Sequence, residues 1–377
     1  MSYMQKVDII GAGIGGLTTA IALQQKGFKI RIFEQAEEIQ HLGAGIILAN
    51  NAMQVYQHLG LEKDIANLGE RVFAINITEP NLNIITSSDL SFFENKFSTK
   101  SIAIHRASLQ KLLLSKIEPS NIYLSKKLSN ISLGTPNKLF FQDGSEYQSN
   151  CVIAADGINS NVRIKAFGNH AIRYANQMCW RGISQCSLSS QFNNQLWEFW
   201  GRNERFGFVA INPKEVYWYA LKNTDDPKSN RWENSFTQQR GYHPVISDLI
   251  EKTPVSSIFE STIKDIKPFK TWSKGTVCLL GDAAHPTTPN MGQGACQAIE
   301  DAYILADCMA RMTPERAFKE YQSLRVKKAH YIVNTSWRLG KVAHWTHPTL
   351  QYLRNKSLSL IPKAINTIQM TKLYRLN

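Results

Sequence analysis

The stretch KVDIIGAGIGGLTTAIALQQKGFKIRIFE, residues 6–34, constrains this chain more than any other. An apolar run ends on Gly11, helical spacing follows, Gly27 stops it, and a second apolar run closes on Glu34. Gly11, Gly13 and Gly16 allow a turn tight enough for a helix to start directly off the strand, the opening of a parallel β-α-β unit. The unpaired N–H groups at that helix start suit a pyrophosphate, and an acid ending the second strand suits a ribose hydroxyl. Gly11, Gly13, Ile14, Gly15, Gly16 and Glu34 are therefore candidate contacts to an adenine dinucleotide. The unit alone does not say whether that is FAD or NAD.

Two further segments decide between them. In CVIAADGINSNVR, residues 151–163, a buried-strand pattern delivers Asp156 and Gly157 to a cleft. In TVCLLGDAAHPTTPNMGQGACQAIED, residues 276–301, another apolar run stops on Gly281 and Asp282. Pro286 and Pro289 stiffen the loop, and Gly292-Gln293-Gly294 expose N–H groups where a helix begins. Asp282 can accept hydrogen bonds from a ribityl chain or lie near the pyrophosphate. Donors over Met291, Gly292, Gln293, Gly294 and Ala295 would stabilise negative charge on a reduced flavin ring. His285 reads as a packing or flavin-side group before a general base, and His105 as structural.

Between about 171 and 272 the texture changes. NQLWEFWG, ERFGFVAI and EVYWYALKN are short aromatic-rich runs with the alternation of an antiparallel sheet. Earlier, Asp143-Gly144 marks a hairpin turn. The expected architecture is α/β, α+β overall, with a doubly wound, Rossmann-like FAD-binding domain drawn from 1–70, 102–170 and 273–320. A mostly antiparallel sheet domain for substrate, 71–101 and 171–272, interrupts it. C-terminal helices fill 321–377 and break at Pro348 and Pro362.

A length of 377 residues fits two domains sharing a cleft. The N-terminus runs straight into the first strand, so no signal peptide is expected. No apolar stretch is long enough for a membrane span. Six scattered cysteines without CxxC read as small buried residues of a cytoplasmic protein and argue against a thiol-disulfide reductase. Net charge is +13, and from Tyr321 onward there is no Asp or Glu. Either packed helices with a solvated basic face account for that tail, or it meets an anionic surface or a second subunit. Nucleic acid is not an expected partner, since no recognition motif accompanies the charge. No metal site is expected.

Together these segments resemble the single-component FAD-dependent monooxygenases of the para-hydroxybenzoate hydroxylase type, over essentially the whole chain. GAGIGG with Glu34, AADG, GDAAHPTTPNMGQGACQAIEDA and IHRASLQKLL all match that family's segments. The branch most similar contains bacterial urate hydroxylase, 3-hydroxybenzoate 6-hydroxylase and zeaxanthin epoxidase. The resemblance implies that NADH or NADPH binds transiently and reduces FAD. A flavin C4a-hydroperoxide formed with O2 then hydroxylates a small aromatic or heteroaromatic substrate. Epoxidation or hydroxylation of a larger apolar molecule is the alternative, and a flavin-binding scaffold without turnover a minor one. It also places Arg106 along the flavin and adds Gln35, Gly45, Ile46 and Leu128 to the cofactor contacts.

The same resemblance matches Arg205 and Tyr217 to an arginine and a tyrosine that contact substrate, with Pro286 the third catalytic candidate. An arginine amid Phe206, Phe208 and Val209 needs a partner. An anionic or carbonyl-bearing substrate is one, Glu198 or Glu204 another. Side chains alternate across a strand, so a four-residue loop at 212–215 would put Arg205 and Tyr217 on opposite faces. An odd loop or a bulge would bring them together.

Overall fold

The computed structural model describes residues 6–39, 44–224 and 241–376; positions 4 and 5, expected to begin the first strand, lie outside them. Six strands form the first sheet, in the order Ser273–Lys274, Val277–Leu279, Val152–Ala154, Lys6–Ile10, Lys29–Phe33, Ile122–Tyr123. All neighbours are parallel except the first pair. Val7, Ile9, Ile153 and Cys278 are wholly buried, as strands covered by helices on both faces require. Helix Ile14–Gln25 lies against helix Gly294–Arg311, close enough that a Cβ on Gly15 would stand 3.1 Å from that of Ala298.

Strands Val152–Ala154 and Val277–Leu279 are direct neighbours, Ile153 opposite Cys278. The loops after residues 10, 154 and 279 therefore leave adjacent parallel strands at one carboxyl edge, where open α/β sheets bind ligands.

The second sheet has seven strands, in the order Phe259–Ile266, Ile172–Gln185, Glu215–Asn223, Glu204–Asn212, Gln195–Trp200, Ala74–Thr78, Ile84–Asp89. Only Gln195–Trp200 and Ala74–Thr78 pair in parallel. Its alternation gives it two different faces. Trp180, Phe199, Phe206, Phe208 and Trp218 form a separate core with Ile246 and Leu249 of helix Val245–Glu251. Val209, Ile211 and Tyr217 face the other way and join the main core. Two three-stranded sheets complete the fold, one of Gly45–Leu48, Ile102–His105 and Gly69–Arg71, the other a meander turning at Asp143-Gly144.

Helices Pro314–Ala343, Pro348–Ser359 and Lys363–Tyr374 close the chain, the second starting on Pro348 and the third just after Pro362. The tail is tied in: Arg325, Arg354 and Tyr374 are buried. Part of its charge is spent internally, Arg325 on Glu300 and Asp301, and Lys328 on Glu300. The excess available to any partner is smaller than composition suggests.

Five of the six thiols are buried and only Cys186 is partly open. Burial raises the pKa of every one of them, to about 11 for Cys296 and Cys308. A maleimide at neutral pH is expected to label the native protein once, at Cys186, and all six sites only after denaturation. Mass spectrometry of peptides checks this; rapid labelling elsewhere would show an opening that this packing does not allow.

Candidate active site

The glycine turn is built for close approach. Gly11 has φ +104°, and a Cβ on Gly16 would sit 2.1 Å from the Gly11 carbonyl oxygen. Helix Ile14–Gln25 has no side-chain cap and no acid in its first turn, so its leading N–H groups are open to an anion. Glu34 accepts from the Ala12 N–H at 2.7 Å and from the Ala36 N–H at 3.0 Å, fixing the turn it faces. Each carboxylate oxygen keeps a lone pair for a ribose hydroxyl.

Beside it the other two loops converge. Arg163, buried, donates to the Ala283 carbonyl at 2.9 Å and to that of Ile158, bracing the 281–283 loop on the 156–160 loop. Asp156 accepts from the Val162 N–H at 3.2 Å. Asp282 is exposed to the cleft but walled by protein. The thin water around it raises its pKa, opposed by His285, Arg106 and Arg163. Gly292 takes a left-handed φ of 61°, and helix Gly294–Arg311 starts without a side-chain cap or a first-turn acid. Two uncapped helix starts and an accessible carboxylate along one carboxyl edge fit a flavin dinucleotide: diphosphate at the first, ring at the second, ribityl chain near Asp282.

Several candidate contacts present only backbone. Ile14, Leu128 and Gln293 are buried, and the Gln293 side chain accepts inward from Asn51 at 3.2 Å and Gln297 at 3.0 Å. Gly13, Gly45, Ile46, Gly157, Met291, Gly294 and Ala295 are half-buried, while Gln35 and Arg106 are exposed. His105 caps its helix by accepting from the Ala107 N–H at 3.1 Å. His285 is held 2.6 Å from Asp301, its ring tilted 39° to that of Trp272 at 5.0 Å, away from any role as a free base.

Arg205 pairs in register with Leu221, and Val209 with Tyr217, after a bulge between Ala210 and Asn212. The bulge puts Arg205 and Tyr217 on one face, two cross-strand pairs apart, so they do not converge on one point. Arg205 also has its partner inside the protein. Its guanidinium bonds Glu198 at 3.1 Å and Asn290, and Glu198 also accepts from Trp200 at 2.6 Å and from Tyr219. The expected need for a substrate anion at Arg205 is thus met by Glu198.

Sequence reasoning did not single out Arg181. It lies on the same face, opposite Tyr219 and one pair from Tyr217. It is half-buried, donates to the Ser261 hydroxyl at 2.6 Å, and its charge acts on the Tyr217 phenol. Burial, against the opposing charge of Arg181, pushes the Tyr217 phenol up to about 12, so it stays neutral. The Tyr217 ring packs on Gly45, whose Cβ, were there one, would stand 2.4 Å from it. The missed signal was an arginine in the middle of an aromatic strand, CWRGIS.

The family model for FAD binding domain matches residues 4–336. The chain is 35% identical over 364 residues to aurachin C monooxygenase/isomerase of Stigmatella aurantiaca, covering 94% of each. It is 30% identical over 369 residues to 2-heptyl-3-hydroxy-4(1H)-quinolone synthase of Pseudomonas aeruginosa, covering 95% of this chain and 94% of that one. Its fold superposes on Klebsiella pneumoniae HpxO complexed with FAD and uric acid, with TM-score 0.89, 24% identity, and 98% and 96% of the two chains covered. The chain belongs to this FAD-binding family and is an FAD-dependent monooxygenase that draws electrons from NAD(P)H.

Proposed function

From that membership, we propose that this monooxygenase hydroxylates a carbonyl-bearing heteroaromatic ring of the quinolone kind. The ring would lie beside Arg181 and Tyr217, on the face of the sheet that they share. The observation that carries the reading is a half-buried cation with donors to spare, on the same sheet face as a neutral phenol that packs on Gly45. On the neighbouring strands Ile46, Ile47 and Ile183 are half-buried and apolar, in keeping with a ring that carries an alkyl substituent. One relative above, named for a heptylquinolone, supports the same class.

FAD, when bound, supplies the chemistry by which NAD(P)H and O2 are consumed and one oxygen atom reaches the ring. The chain's residues do the rest. Arg181 donates to the ring carbonyl, drawing negative charge toward it, and Tyr217 orients the ring without ionising. Val209, Ile211 and the isoleucines keep water out. Gly11, Gly13, Gly15, Gly16, Glu34 and Gln35 hold the adenosine and diphosphate side, with Leu128, Asp156 and Gly157 alongside. Arg106 and Asp282 hold the middle, and Gly45, Ile46 and residues 291–295 the ring. Pro286 keeps that loop rigid, and Arg205 acts as a strut between sheet and loop. We place the protein in the cytoplasm, where NAD(P)H is available and its thiols stay reduced. Its acid-free tail offers a contact surface to an anionic partner or a second subunit.

Anaerobic flavin reduction by NADH and by NADPH, run with 4-quinolones, 2-alkyl-4-quinolones, urate, hydroxybenzoates and apolar alkenes, tests the reading. Quinolones should accelerate reduction and emerge hydroxylated; acceleration by alkenes alone, with an epoxide product, would overturn it. Arg181→Met should weaken quinolone binding by about 1.5–3 kcal/mol while flavin content is kept. Asp282→Ala should show the converse, FAD affinity down about tenfold to a hundredfold with the fold intact. Flavin absorbance after gel filtration reads this, and undiminished content would remove Asp282 from the site.

A further inference from the structure

Helix Pro348–Ser359 is turned inside out. Leu358 packs inward, but the helix's other inward residues are polar: Gln351 donates to the Trp345 carbonyl at 2.8 Å, and Asn355 to Glu79 at 3.0 Å. Arg354 donates to the Ala343 carbonyl at 2.8 Å and lies over the Trp200 ring. The helix's outward face carries large apolar residues among Thr349, Lys356, Ser357 and Ser359. Leu350, Leu353 and Leu360 recur at helical spacing and are exposed, Leu360 to 67%. The pattern continues at Ile361 in the elbow and, past Pro362, at Ile365 and Ile368 of the last helix, all exposed, Ile368 to 56%. In that helix Asn366 and Tyr374 point in, Asn366 donating to Ser88 at 2.7 Å. Two successive helices thus turn polar residues as well as Leu358, Met370 and Leu373 to the protein and leave other leucines and isoleucines on the outside. Such exposure of large aliphatic side chains marks a contact surface.

The charge around these stripes names the occupant. Lys356, Lys363 and Lys372 are exposed on the same two helices, and neither helix carries an acid. Exposed Tyr352, 65% accessible, adds an amphipathic aromatic of the sort favoured at a bilayer interface. A second copy of the chain would present the same acid-free face, lysine against lysine with no carboxylate to answer. An anionic leaflet answers the lysines and accepts the aliphatic side chains. Among the described residues no helix is long and apolar enough to cross a membrane, so the contact is with the surface.

We propose that the last two helices dock this enzyme on a membrane leaflet rich in anionic phospholipid. Leucine and isoleucine enter the acyl boundary and the lysines sit at the headgroups. This deepens the reading of the tail as a contact surface given above, choosing lipid over a second subunit.

The test uses the full-length, FAD-loaded protein and vesicles of phosphatidylcholine, with and without phosphatidylglycerol, in a flotation assay. Binding is expected on the anionic vesicles and to weaken with salt. Reversing Lys356, Lys363 and Lys372 together (each Lys→Glu) should cost at least roughly a hundredfold in partition, about fivefold per charge removed. Leu353→Ser with Ile365→Ser and Ile368→Ser should cost about tenfold or more on the same vesicles. All six positions are exposed, so flavin content and melting temperature should match the parent and certify folding. Equal recovery on neutral and anionic vesicles, or no effect of the serine variant, would overturn the proposal. Sedimentation velocity without lipid separates the alternatives. Self-association abolished by the same substitutions would assign the face to a second subunit, and absence of both behaviours would end the contact-surface reading itself. Flavin reduction by NAD(P)H is read independently of either result.

Discussion

Arg325→Ala is expected to destabilise this protein by about 3–5 kcal/mol, the cost of removing one member of a buried ion cluster. Arg325 is fully buried and donates to Asp301 at 2.7 Å, to the Gln297 side chain at 2.6 Å and to Glu300. Lys328 keeps Glu300 paired at 2.7 Å, but Asp301 would retain only His285 and the Gly281 N–H. For a chain of this length the loss corresponds to a fall of roughly 4–6 °C in melting temperature. It should reach the site as well, because Asp301 holds Gly281, the residue before Asp282, at 3.0 Å. The pH dependence carries a sign. Burial alone would raise the pKa of Asp301, but His285 and Arg325 outweigh it and hold the carboxyl well below the usual carboxylate range. A depressed carboxylate contributes stability that is full above its unfolded pKa and is lost as pH falls through the folded one. The gap between parent and variant should therefore be widest near neutrality and narrow below about pH 4. Thermal melts across pH check both points. A gap that grew toward acid would mean that Asp301 is not the group Arg325 serves.

Arg205→Ala is expected to be comparably severe, about 3–5 kcal/mol, and for a structural reason. The guanidinium is almost fully buried, pairs with Glu198, and reaches Asn290 in the flavin loop. Asn290 in turn donates to Thr288 at 2.9 Å and to the Ser336 carbonyl at 2.9 Å. Removing Arg205 leaves Glu198 with only the Trp200 and Tyr219 donors and frees the loop from the sheet. The double variant Arg205→Met with Glu198→Gln, which removes both charges, should recover a large part of the loss. Urea unfolding of the four proteins in the cycle measures the coupling. Unchanged stability together with a purely weakened substrate affinity would return Arg205 to the role of substrate anchor. Arg181→Met gives the contrast, since the proposed function assigns that arginine to the ligand and not to the scaffold.

Much of this molecule follows from its order of residues. A strand that ends on glycine, a helix that starts with no side-chain cap, and an acid closing the next strand are local patterns. Local sterics and hydrogen bonding decide them, so Gly11–Gly16 with Glu34, Asp156-Gly157 and Asp282 through Gly294 could be read directly. The aromatic alternation of 195–223 likewise declared a sheet with two faces. What could not be read is what pairs across the chain. Whether Arg205 shares a face with Tyr217 depends on a one-residue bulge at the hairpin, because strand periodicity is two and a single slip inverts every side chain. That Arg205 meets Glu198 depends on its register with the strand on its other side. The partnership of Arg325 with Glu300 and Asp301 joins two helices whose crossing only tertiary packing sets. The basic tail shows the same limit. Composition gave its charge, but which lysines are free, and that leucine and isoleucine point outward while Arg354 points in, was decided by how three helices settle on a core already formed.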